Sequence, residues 1–309
     1  MPVQITVIMP AFNEEEGIGA ALRAMTESPH FGPDIDIIVA ANGCSDRTAE
    51  VARACGVRVL EITTPSKIAA LNAADAIADG DVRIYLDADI AAPVELLRAL
   101  AAAIAEPGVA AAAPRPVIDA SGSTWPVRAY YAINSRLPVF SGRLFGRGLI
   151  ALSAEARARF TNFPDIIADD MFLDAVVHST EKRDVDLPVR VVAPRRTGEL
   201  VRRVARSRAG NAEFWHFVRT DPRGADLALD PVPGSSPWSW LRRVVLTTPR
   251  LVPAAFCYVA ITVAAEFMRR TPGWNVRSGW GRPGGTGANP RGATDDPQST
   301  VNSSDAGRG

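Results

Sequence analysis

The sequence predicts an α/β protein in which a mostly parallel sheet is flanked by helices. Three observations carry that expectation. Short apolar runs alternate with helix-patterned runs through the first 114 residues, the order that right-handed strand–helix–strand crossovers produce. In the stretch Asp81–Pro93, Val82, Ile84 and Leu86 alternate as a buried strand does, and the run stops on two carboxylates, Asp87 and Asp89. Delivering acids to the carboxyl edge of a sheet is how α/β proteins build ligand sites. Finally, 47% hydrophobic and 22% charged residues in a chain of 309 are the proportions of a globular protein with ample length for a core.

The elements follow in order. Val3–Met9 reads as a strand ended by Pro10, and A-F-N-E-E-E-G-I-G-A-A-L-R-A-M as an acidic first turn opening a helix, where acids complement the dipole. Asp34–Ala41 is a second strand; Ser45 or Asp46 in the turn N-G-C-S-D-R-T can cap the helix T-A-E-V-A-R-A-C, which Gly56 closes. V-R-V-L-E-I is a third strand, and Pro65–Lys67 leads into helix K-I-A-A-L-N-A-A-D-A-I-A. Gly80 ends that helix just before the acidic strand, and Pro93 is placed to open the next one over 94–105.

From residue 115 the pattern loosens. P-R-P-V-I-D-A-S-G-S reads as loop, W-P-V-R-A-Y-Y-A-I-N-S-R-L as helix, and G-R-L-F-G-R-G-L-I-A-L-S as Gly-punctuated extended chain. I-I-A-D-D-M-F-L-D-A-V-V-H-S begins with acids and continues as an amphipathic helix, while Pro188 in D-V-D-L-P-V-R-V-V-A-P argues for an edge strand. Arg195–Arg208 is a strongly basic helix candidate. The organisation expected is one α/β domain over 1–220, divided at 114/115 where the strand–helix alternation loosens. A Pro/Gly/Asp-rich linker over 221–240, a hydrophobic segment over 241–270 and a disordered tail over 271–309 complete it.

Leu251–Met268 is nearly continuous apolar sequence, about the minimum length for a bilayer crossing. Arg242, Arg243 and Arg250 precede it and Arg269 and Arg270 follow it, so charge asymmetry assigns no orientation. A membrane-associated helix and a helix packed on the domain fit the pattern equally. Lys+Arg and Asp+Glu balance at 34 each, which removes the whole-chain argument for nucleic acid. Cys44, Cys55 and Cys257 are an odd count without zinc-type spacing, which suggests a reducing compartment. The start, M-P-V-Q-I-T-V-I-M-P, reads as strand and not as a secretory signal. The expected location is cytoplasmic, at the inner face of the cell membrane if 241–270 touches lipid.

Asp87 and Asp89, two apart across Ala88, can reach one divalent cation if the strand ends there, and hard oxygen ligands suit Mg²⁺ or Mn²⁺. A solvated loop also ends in acids, and D-x-D alone does not decide between them. Four further pieces accompany it: Ile8–Ile18, I-M-P-A-F-N-E-E-E-G-I; Val39–Thr48, V-A-A-N-G-C-S-D-R-T; Ser66–Asn72, S-K-I-A-A-L-N, with a lysine where a helix N-terminus welcomes phosphate; and Ala168–Asp174, A-D-D-M-F-L-D.

In this order the five pieces resemble the family 2 glycosyltransferases of the GT-A fold, a nucleotide-diphospho-sugar transferase fold with a Rossmann-like sheet. The resemblance covers residues 3–215. It implies an inverting, metal-dependent hexosyl transfer from a UDP- or GDP-sugar to the hydroxyl of a sugar, lipid or other acceptor. Pro10, Ala11, Phe12 and Glu14 match the segment that cradles the nucleoside. Asn42 stands where the family often has an aspartate against the base, so that an amide would read the base edge. Lys67 matches the lysine beside the donor, Asp87 would face the ribose and share the metal, and Asp89 would bind the metal. Asp169 and Asp170 stand where the family has Glu-Asp, with Asp170 matching the general base.

The Arg-rich segment after that acidic pair contacts the diphosphate in the family, with Arg203 and Arg206 the candidates here, although the usual Q-x-x-R-W form is absent. Taken alone, such a run reads first as a solvated basic helix face, and anionic lipid is a further partner for it. His216 falls where some GT-A enzymes bind metal; His30 and His178 have ordinary surface explanations. Trp125, Tyr130 and Tyr131 suit either an acceptor pocket or core packing. Two other readings compete: a sugar nucleotidyltransferase and a nucleotide-binding module without catalysis. Against the first, the loop after the first strand, P-A-F-N-E-E-E, is acidic where a triphosphate needs cations. Against the second stand the intact Asp87, Asp89 and Asp170.

Overall fold

The computed structural model describes residues 3–229, 238 and 240–271. Its centre is a seven-stranded sheet built from β1 (Ile5–Ala11), β2 (Ile35–Asn42), β3 (Arg58–Ile62), β4 (Val82–Leu86), β5 (Ala111–Asp119), β6 (Leu149–Ser153) and β7 (Lys182–Val192), ordered β3-β2-β1-β4-β6-β5-β7. β6 runs antiparallel to β4 and β5, and the remaining pairings are parallel.

The helices in chain order are α1 (Ile18–Thr26), α2 (Thr48–Ala54), α3 (Lys67–Asp75), α4 (Val94–Ile104), α5 (Trp125–Asn134), α6 (Ala154–Arg157), α7 (Asp169–Val176), α8 (Thr197–Thr220) and α9 (Val252–Arg270). Strand alternation explains the two-sided core. Ile5, Val7 and Met9 of β1 pack with Ile18, Leu22 and Met25 of α1 and Leu96, Leu97 and Leu100 of α4. Ile8 faces the other layer, with Leu71 of α3, Phe172 of α7 and Phe214 of α8. Burying both faces in this way is what a parallel sheet requires.

Several expectations shift. β1 runs on through Pro10 to Ala11. Its pairing with β4 stops at Ile8, so at Pro10 only β2 lies alongside, a setting that tolerates a residue without an N–H. Glu14–Glu16 do not form the first turn of α1, which has no acid; Asn13, with φ +53°, turns the chain aside first. The P-R-P-V-I-D run is strand and not loop: it extends β5 along β7 through an irregularity at Pro114/Arg115. β7 is the sheet's edge, which accommodates Pro188. The basic helix α8 is longer than its arginine run, 24 residues in all. Residues 230–237 and 239 of the linker and all of the tail beyond Thr271 lie outside the described residues.

Candidate active site

The carboxyl ends of β1, β2 and β4 carry the first components. The loops after β1 and β2 are laced together. Ser45 N–H donates to Asn13 Oδ1 (2.9 Å), Glu14 N–H to Thr48 Oγ1 (2.8 Å), Glu15 N–H to Asp46 Oδ2 (3.1 Å) and Arg47 N–H to Glu15 Oε2 (3.1 Å). Asp46 Oδ1 accepts from Thr48 N–H (3.0 Å), but Arg47, and neither Ser45 nor Asp46, occupies the N-cap position of α2. The acids of P-A-F-N-E-E-E and the polar residues of N-G-C-S-D-R-T are therefore bound to each other in one cradle. Pro10 and Ala11 end β1 beneath it, Phe12 is half-buried and Glu14 is buried.

Asn42, expected at the base edge, has its amide turned to the backbone. It is wholly buried, and its Nδ2 donates to the carbonyls of Thr64 (3.2 Å) and Ser66. Its Oδ1 is sealed from solvent and has no hydrogen-bond partner among the described residues. Both amide hydrogens are spent on backbone, so Asn42 fastens the loop that leads into α3. Ser66 caps that helix by accepting from Ala69 N–H (3.2 Å), and Lys67 is its first residue.

β4 ends as predicted on Asp87, whose carbonyl accepts from Ile90 N–H (3.0 Å) to close a turn that exposes Asp89. Asp87 N–H donates to Gly148 O (2.9 Å). Gly148 has φ +70°, and a Cβ there would lie 3.0 Å from Ile90 and 3.6 Å from Asp87 Oδ2; only glycine leaves this side of the carboxylate open.

Lys67 joins the two acidic segments: its Nζ is 3.0 Å from Asp87 Oδ1 and 2.9 Å from Asp169 Oδ2. Burial works against its charge, but Asp169 and Asp87 outweigh it and raise the ammonium above the ordinary lysine range. Asp170, beside Asp169 at the start of α7, accepts from Gly146 N–H (2.8 Å) through Oδ2. Burial and the neighbouring Asp169 charge push its carboxyl up to about 6, against the opposing pull of Gly146 and Lys67.

α8 brings in Arg206. Gly210 lets that helix approach closely, since a Cβ there would sit 3.2 Å from Ile167 just before the acidic pair. Burial lowers the Arg206 guanidinium, while Asp169 and Asp87 sustain its charge and Arg203 opposes it. Arg203 is exposed, one turn earlier. His216 lies about 15 Å further along the helix axis from Arg206 and is exposed, away from the acids. Tyr130 is packing: it is buried and stacks on Tyr258, ring centroids 5.1 Å apart.

The segment 141–148 is the component that sequence reasoning missed. Gly146 and Gly148 contact Asp170 and Asp87 respectively, so one short loop ties both acid pairs. Two buried arginines hold it: Arg143 Nη1 is 3.2 Å from Asp174 Oδ2, and Arg147 donates to Pro114 O (2.8 Å) and Asp184 Oδ1 (3.0 Å). The signal present was the run G-R-L-F-G-R-G itself, with two arginines between glycines.

Asp87 and Asp89 fit a divalent cation of the Mg²⁺ type. Both carboxylates open to solvent at the sheet edge, and among the described residues no group of three His, Cys, Asp or Glu converges as a metal cluster. One or two carboxylates with the remaining positions left to phosphate oxygens and water is how such ions bind beside nucleotides.

The family profile of glycosyl transferase family 2 matches residues 6–162, taking in Lys67, Asp87 and Asp89 and stopping short of Asp169. No curated protein sequence compared with the chain matches it. Among solved structures, the mannosyltransferase PcManGT from Pyrobaculum calidifontis, in complex with GDP-Man and Mn²⁺, superposes with a TM-score of 0.60 at 21% identity, covering 87% of each chain. Glucosyl-3-phosphoglycerate synthase from Mycobacterium tuberculosis superposes with a TM-score of 0.50, both in its complex with Mg²⁺ and UDP (21% identity) and in that with phosphoglyceric acid (22%); each covers 75% of this chain and 82% of the other. These likenesses establish a shared fold.

Proposed function

The chain belongs to glycosyl transferase family 2, and from that membership we propose an inverting transfer of a sugar from a nucleoside diphosphate, UDP or GDP, to an acceptor hydroxyl. The observation that carries the reading is Asp170, a half-buried carboxylate anchored by Gly146 N–H, with its carboxyl pushed up to about 6. Such a group is largely ionised at neutral pH, yet basic enough to take the acceptor's proton as its oxygen attacks the anomeric carbon. A single base on the acceptor side, with the diphosphate leaving from the opposite face, inverts that carbon.

Charge on the leaving side comes from Lys67 at the N-terminus of α3 and from Arg206 on α8, with Arg203 beside it. Asp169 orients Lys67 through their 2.9 Å contact. Asp89, with Asp87 beside it, would hold Mg²⁺ or Mn²⁺, which when bound supplies Lewis-acid stabilisation of the leaving diphosphate. The laced loops after β1 and β2, with Pro10, Ala11, Phe12 and Glu14, form the nucleoside cradle, so residues 1–114 serve the donor, and 115–220 supply the base, the acceptor side and the α8 arginines that reach the diphosphate. The complexes of structural relatives with GDP-Man, UDP, Mn²⁺ and Mg²⁺ support a nucleotide-sugar donor and a divalent ion.

Calorimetric titration with UDP and with GDP, each with and without Mn²⁺, tests the reading. Binding of one nucleotide that depends on Mn²⁺, followed by hydrolysis of the matching labelled nucleotide sugar, is expected. No binding of either nucleotide in the presence of Mn²⁺ would sink it.

A further inference from the structure

We propose that α9 rests lengthwise on an anionic lipid surface, one face on the domain and the other in the headgroup layer. The inner face is fixed. Ala254, Ile261 and Ala265 are buried, Tyr258 stacks on Tyr130 of α5, and Arg208 of α8 pairs with Glu266 at 3.4 Å. The outer face is apolar and, among the described residues, uncovered: Val252, Phe256, Val259, Val263 and Phe267 are 46%, 74%, 41%, 61% and 76% exposed. Their spacings of three and four residues put them on one stripe of the helix. Leu246 and Trp238, just upstream, are 65% and 58% exposed. Contiguous apolar surface of this kind marks an interaction site.

Charge selects the occupant. The segment 241–270 carries Arg242, Arg243, Arg250, Arg269 and Arg270, with Glu266 as its sole acid, in a chain whose opposite charges balance at 34 each. Arg242, Arg243, Arg250 and Arg270 are exposed. A Phe/Val stripe flanked in sequence by arginines, with an exposed tryptophan upstream, is complementary to the boundary between anionic headgroups and acyl chains. A second copy of the same face would oppose arginine to arginine.

The helix is long and apolar enough to span a membrane, but crossing would strip it from α5 and α8 and carry Glu266 towards hydrocarbon, both unfavourable. Lying in the interface keeps every inner contact. One consequence rests on the transferase reading above: α8, which pairs with α9 through Arg208, also carries Arg206 to the acids, so the acceptor is a hydroxyl presented at a lipid surface.

Co-sedimentation of the full chain with vesicles tests this without turnover, so its failure and that of the transferase reading are separate results. The chain is expected to pellet with vesicles of equal parts phosphatidylcholine and phosphatidylglycerol, far less with phosphatidylcholine alone, and to be released by high salt. Phe256→Ser with Phe267→Ser should weaken partition roughly tenfold or more. Arg242→Gln with Arg243→Gln should cost about fivefold per arginine. All four side chains are exposed, so thermal unfolding should stay unchanged and report intact folding. Wild type remaining in the supernatant, partition indifferent to phosphatidylglycerol, or retention through high salt would overturn the proposal. So would a solution dimer that the Phe→Ser pair dissolves.

Discussion

Lys67 Nζ lies 2.9 Å from Asp169 Oδ2, so the first residue of α3 touches the first residue of α7 across the candidate site. The same ammonium reaches Asp87 at 3.0 Å. One cation thus neutralises a carboxylate from each acidic segment, and its charge also restrains Asp170 from rising further.

Lys67→Met should therefore do two things at once. Donor affinity should fall at least tenfold, an order-of-magnitude loss for a charge-assisted contact to phosphate. The acid limb of the pH–rate profile should also move above 6, because Asp170 would lose the Lys67 charge that holds it down. Nucleotide titration and kcat/KM across pH measure the two effects separately; an unchanged acid limb would remove Lys67 from the base's environment.

As the proposed base, Asp170 should set the pH dependence of activity. A general base acts only when deprotonated, and its carboxyl is pushed up to about 6. Activity should be flat above neutrality and fall tenfold per pH unit below about 6. Asp170→Asn should abolish that limb and lower kcat by roughly 10²–10⁴, while nucleotide affinity is kept. Wild-type turnover by the Asn variant would exclude the assigned role.

Asp89→Ala should leave folding intact, since Asp89 is exposed in the turn after β4, and should abolish the Mn²⁺-dependent part of nucleotide binding. Nucleotide titrations at rising Mn²⁺ read this directly. A variant whose affinity rises with Mn²⁺ as steeply as wild type would place the ion elsewhere.

What was legible in the sequence were features whose physics is local. The alternation of Val82, Ile84 and Leu86 gave β4, Pro65–Lys67 the start of α3, and Pro188 an edge strand. Features made by distant contacts were not. The β5 extension depends on β7 lying beside Pro114–Asp119. The loop 141–148 acquires its role only when Asp174, Pro114 and Asp184, from three other elements, hold its arginines. Nor does spacing tell whether a residue faces the cleft or the backbone, and Asn42 is the case in point.

Asn42→Asp would install the family's usual carboxylate, and the surroundings predict that it fails. Asn42 is wholly buried and donates to the carbonyls of Thr64 and Ser66. A carboxylate has no N–H for either and brings an unpaired charge into a sealed site. The cost should be about 3–5 kcal/mol, the range for breaking a buried polar arrangement. Because Ser66 and Lys67 follow the released loop, donor affinity should fall with it. Chemical denaturation and nucleotide titration of the variant check both effects. An Asp variant as stable as wild type, with tighter uridine nucleotide binding, would return the base-reading role to this position.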